Sequence, residues 1–65
     1  MASHHDSQLS ALGASIDDLT VRAAALAQSL EADGSGEPAG ALFEVERSLQ
    51  MAARSVERAR RALPS

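Results

Sequence analysis

The chain of 65 residues has no cysteine, no tryptophan, no tyrosine and a single phenylalanine. Without cysteine there is no disulfide to staple a small fold, no thiolate to hold zinc and no thiol nucleophile. Lysine is absent as well, so every fixed positive side chain is an arginine. No uninterrupted apolar run approaches the ~18 residues of a membrane span. The opening Met-Ala-Ser-His-His-Asp lacks the basic and apolar segments of a secretory leader. A cytoplasmic protein with no membrane partner is expected. Net charge is −3, which gives no bulk attraction to nucleic acid. The charge is uneven: residues 1–40 carry six acids and one arginine, a balance of −5, and residues 41–65 carry three acids and five arginines, a balance of +2. A local basic face is therefore possible.

Glycine and proline are few and gathered. Gly34, Gly36, Pro38 and Gly40 lie within seven residues. On either side run two apolar series: Leu9, Leu12, Ile16, Leu19, Ala23, Leu26, Leu30, and Leu42, Val45, Leu49, Ala52, Val56, Ala59, Leu63. Both step 3, 4, 3, 4 without a slip, the a/d spacing of helices packed side by side. The spacing predicts an all-α fold, an antiparallel two-helix hairpin of coiled-coil type. Residues 1–6 form a disordered tail. Helix 1 covers about 7–33 with Asp6 or Ser7 as N-cap. The turn is 34–37, with Gly34 as a left-handed C-cap. Helix 2 covers about 38–63, opened by Pro38 and stopped by Pro64. Each helix is about 40 Å long at ~1.5 Å per residue. Pairing residues whose numbers sum to 71 or 72 gives the layers Leu9/Leu63, Leu12/Ala59, Ile16/Val56, Leu19/Ala52, Ala23/Leu49, Leu26/Val45 and Leu30/Leu42. Three of these set leucine against alanine, as interdigitated packing requires.

With Leu9 and Leu42 as position a, the e and g flanks are mostly small. They are Gly13, Thr20, Ala27 and Gln8, Ser15, Arg22, Ser29 in helix 1, and Glu46, Ala53, Arg60 and Ala41, Ser48, Ser55, Ala62 in helix 2. A self-sufficient two-stranded coil usually carries charged pairs there. Small flanks leave room for further helices, and a chain this short has little core of its own. Two hairpins are expected to dimerise into a four-helix bundle.

Opposite the helix 2 seam, Phe43, Arg47, Met51, Arg54, Arg58 and Arg61 fall in one stripe roughly 80° wide. Arginine, methionine and aromatic residues are enriched at protein interfaces, which makes these six the candidate partner-binding face. An ordinary solvated face accounts for them equally well, with Glu57 pairing Arg54 and Arg61, and Glu44 pairing Arg47. On helix 1 the outer residues Ala11, Ala14, Asp18, Val21, Ala25 and Gln28 form an apolar second face.

Chemical signals are weak. Asp17 and Asp18 are adjacent and point about 100° apart on a helix, so they make no converging acid–base pair. No histidine lies in the folded part to activate a serine. Gly34-Ser35-Gly36 lacks the lysine of a phosphate loop. The chain is expected not to be an enzyme, and no cofactor is implied. With Met1 removed, Ala2-Ser3-His4 would offer a square-planar nitrogen set for Cu(II) or Ni(II), a pattern so short that it assigns no metal.

In size and hairpin form the chain resembles the Rop family of small dimeric RNA-binding bundles, in architecture only. That resemblance implies Phe43, Arg47, Arg54 and Arg58 as RNA-facing residues. The hairpin form is also similar to secretion-system proteins of the WXG type, but no tryptophan stands in the turn. Three functions remain: a self-associating protein-interaction or regulatory module, a small RNA-binding bundle, and one half of an obligate hetero-complex.

Overall fold

The computed structural model describes residues 4–64. It contains two helices, α1 (His4–Ala32) and α2 (Gly36–Arg61), packed against each other as a hairpin whose Cα atoms extend 51 × 14 × 9 Å. Helix α1 takes in His4, His5 and Asp6, which the capping pattern assigns to a frayed tail, and Asp6 places a carboxylate in the first turn, where the helix dipole favours it. The rest of that tail, residues 1–3, lies outside the described residues, as does Ser65 and, with residues 2 and 3, most of the amino-terminal metal motif. No helix among the described residues is long and apolar enough to cross a membrane.

The turn is shorter than the composition suggests. Gly34 has φ +82°, the left-handed conformation in which a side chain is strained and glycine is not. Its N–H donates to the Glu31 carbonyl at 3.0 Å, and the Ser35 N–H donates to the Leu30 carbonyl at 2.9 Å. This pair of bonds is the Schellman arrangement that closes a helix C-terminus. Ser35 then serves at once as N-cap of α2, its carbonyl accepting the helical bond from Ala39 N–H at 3.1 Å. Pro38 falls in the first turn, where no N–H is needed. At the far end the Ala62 N–H donates to the Arg58 carbonyl and Leu63 to Arg60. Arg58, Arg60 and Arg61 occupy the last turn, beside the negative end of the dipole.

The seam differs from the a/d expectation. The a residues are buried or half-buried in both helices, as predicted, but their companions are the e residues. Gly13, Thr20 and Ala27 of α1, and Ala39, Glu46, Ala53 and Arg60 of α2, are all buried or half-buried. Ala27 and Ala39 are 0% and 1% exposed. The d leucines Leu12, Leu19 and Leu26 remain 50%, 45% and 54% exposed, and Val45 43%. A β-carbon built on Gly13 would meet Val56 Cγ1 at 3.6 Å, so this facing pair sums to 69, where the predicted layers sum to 71 or 72. The cause is steric. Small e residues let the two backbones approach, and the helices roll onto that edge, carrying the bulky d row outward. Thr20 fits the seam because its hydroxyl donates to the Ile16 carbonyl at 2.8 Å, and among the described residues no buried side-chain polar atom is left unpaired.

The open end is held by one cross-helix ion pair. Arg60 Nε donates to Asp6 Oδ1 at 3.1 Å while its Nη1 donates to Glu57 Oε2 at 3.2 Å. The hydrogen bond that Arg60 donates to Asp6, with the two carboxylate charges, holds the Arg60 guanidinium pKa above its ordinary value.

Candidate functional site

The roll of the helices creates a face that the heptad spacing alone does not reveal. Both d rows emerge on the same side of the hairpin. Leu19 and Leu26 of α1 and Val45 and Leu49 of α2, with Arg22, Ala23 and Ala25, line an open apolar groove. Leu12 continues the row toward the open end. The margins of this face are the g positions, all exposed, and all uncharged except Arg22. Arg22 pairs with Asp18 at 3.8 Å through largely exposed side chains. The carboxylates Glu46 and Glu57 and the Asp6–Arg60 pair lie instead along the opposite, e edge. One broad face is therefore apolar with neutral margins, and the other is charged.

Among the described residues only Ile16, Ala27 and Ala39 are buried apolar residues, and no large side chain is fully enclosed. The hairpin has a seam but hardly a core. Leu12, Leu19, Leu26 and Val45 stand exposed side by side on the d face, an arrangement that folded monomers ordinarily avoid.

The six residues singled out on α2 separate into two environments. Arg47, Met51, Arg54, Arg58 and Arg61 are exposed, Met51 at 65%. Phe43 is half-buried, at the edge of the stripe nearest the seam. Arg54, Arg58 and Arg61 line a shallow depression with Ala53 and Glu57. The anticipated pairing of Glu57 with Arg54 and Arg61 is replaced by its bond to Arg60. Arg58 donates to the Ser55 hydroxyl at 2.9 Å. Among the described residues, Arg47, Arg54, Arg58 and Arg61 thus have no carboxylate partner. By helical phase the stripe stands on the far side of α2 from the leucine face, so the two surfaces do not compete.

The apolar outer residues of α1, Val21 among them, are exposed and scattered among alanines. They make no groove. Among the described residues no three His, Asp or Glu side chains come together to hold a metal ion. Fold and surfaces define a class, the all-α helical hairpin with one open apolar face. Comparison with known protein families, characterised proteins and solved structures brings out no match for this chain.

Proposed function

We propose that the protein is a self-associating, non-catalytic interaction module. Two hairpins pack leucine face on leucine face into a four-helix bundle, and each offers its arginine stripe outward to a protein partner. The observation that carries this reading is the row of half-exposed Leu12, Leu19 and Leu26 beside Val45 on one face. A second copy is the occupant that the surface suits. The face runs along a hairpin whose Cα atoms extend 51 × 14 Å, long enough for two copies laid face to face to cover one another's leucines from Leu12 to Leu26. It joins bulky leucines to the small Ala52, Ala59, Ser48 and Ser55, so it can interdigitate with its own likeness. Its margins are uncharged apart from Arg22, whose charge is offset by Asp18 of the same helix at 3.8 Å, so little like-charge repulsion opposes a second copy.

Sedimentation equilibrium tests the reading. A particle of twice the 6.7 kDa chain mass is expected at tens of micromolar. Leu19→Ser removes an apolar contact that a two-fold dimer makes twice, so dimer affinity should fall by about tenfold or more at ~1.4 kcal/mol per decade. A wild-type monomer at that concentration contradicts the proposal. Poor folding until a different protein is added would support the hetero-complex in its place.

For the outward stripe, an acidic protein surface is the better fit than RNA. Four arginines without carboxylate partners ask for anions, but Glu57 lies in the depression that three of them, Arg54, Arg58 and Arg61, line, and the whole chain is acidic. RNA would show itself as binding that weakens steeply with salt and is lost in Arg54→Ala with Arg58→Ala.

A further inference from the structure

We infer that the second copy docks with its turn at the opposite end of the bundle, an orientation that rests on the self-association proposed above. Two closed two-fold arrangements bring the leucine faces together. In one the turns lie side by side. In the other the two-fold axis crosses the helices and each turn meets the open end of the other copy. Charge distinguishes them. The turn end carries Glu31, Asp33 and Glu37, all exposed, with no cation beside them. At the open end Arg60 is shared by both nearby carboxylates, Asp6 and Glu57. Among the described residues Arg58 and Arg61 are left without an acid, and that end has three arginines against two carboxylates. Side-by-side turns gather six carboxylates at one tip and the excess of arginine at the other. Opposed turns set each acidic tip beside a basic end. Such complementarity decides orientation more than it adds affinity. Because these groups are exposed, it fades once the Debye length falls below their separation, about 3 Å at ~1 M salt.

The orientation has a consequence for the arginine stripe. Opposed turns place α1 over α1 and α2 over α2. Both arginine stripes then share one long edge of the bundle, and the alanine-rich outer residues of α1 share the other. Side-by-side turns would instead put one stripe on each edge.

Spin labels read the difference directly, since the chain has no native cysteine to compete. Gly36→Cys is placed at the turn, where an added β-carbon meets nothing within 4 Å, and Ser7→Cys at the exposed surface of the open end. With both chains labelled at residue 36, pulsed dipolar spectroscopy should give a distance approaching the 51 Å length of the hairpin. Mixing chains labelled at 36 with chains labelled at 7 should add a short component, under about two helix diameters of ~10–12 Å each. At ~1 M salt the long 36-to-36 distance should lose population to a short one. A short 36-to-36 distance at low salt overturns the orientation while leaving the dimer intact. A long distance indifferent to salt overturns the charge argument. No dipolar signal, together with monomer in sedimentation, overturns the self-association on which the orientation rests.

Discussion

Gly34 and Gly13 illustrate how differently two glycines constrain this fold. At Gly34 the backbone is left-handed, so Gly34→Ala should cost about 1–2 kcal/mol and lower the melting temperature with the helix content otherwise unchanged. At Gly13 the conformation is helical and the space is there: an added methyl would touch Val56 at an ordinary 3.6 Å. Gly13→Ala should therefore raise stability by about 0.5–1 kcal/mol, the usual helical penalty of glycine. A loss on that substitution, measured by thermal denaturation followed by circular dichroism, would mean that the seam is tighter at this point than the 3.6 Å spacing. Ala27 is the opposite case. It is wholly enclosed, and Ala27→Leu should force the helices apart at a cost of about 1–3 kcal/mol. The glycine cap was legible in the sequence because only one residue type suits that backbone. The burial of Ala27 was not, because alanine is equally at home outside and inside a helix.

For the helices themselves, periodicity announced the two elements and their antiparallel pairing, and the Asp33–Gly36 segment announced the break. What periodicity could not show was the rotation of each helix about its axis. A strict 3-4 spacing describes both an a/d seam and an a/e seam displaced by one edge, and the choice falls to the sizes of the flanking residues. Small Gly13, Thr20, Ala27, Ala39 and Ala53 on the e side admit a closer approach than Leu12, Leu19 and Leu26 on the d side. The same small residues are consistent with a wider bundle, but they are consumed inside the hairpin, and the leucines become the open surface. The last element-scale feature is the Asp6–Arg60 pair. Arg60→Gln should let the first turn of α1 and the last of α2 fray, seen as faster amide exchange there and unchanged exchange around Gly34. The folded-state pKa of Arg60 is raised, so its contribution is full below the unfolded value and is lost only as pH rises through the higher folded one. Between neutrality and about pH 10, well under the range in which arginine loses its proton, protection at the open end relative to the turn should stay constant.

At the scale of the whole molecule the hairpin is long, thin and nearly coreless, and its charge is sorted by end and by face. The sequence carried the lopsided charge and the arginine stripe plainly. It did not carry the pairing of Glu57 with Arg60, which leaves Arg54 and Arg61 without the carboxylate that their spacing promised. That outcome depends on Asp6 approaching from the other helix, 54 positions away in the chain. The proposed bundle accounts for the leucine face, the neutral margins and the outward arginines together. Its central claim is that the leucine face is covered by a second copy. Sedimentation equilibrium of the wild-type chain and of Leu12→Ser/Leu19→Ser/Leu26→Ser, at tens of micromolar and low salt, tests it most directly. The account predicts a dimer for the wild type and a monomer of reduced helix content for the variant. A wild-type monomer, or a variant that dimerises as well as the wild type, would contradict it.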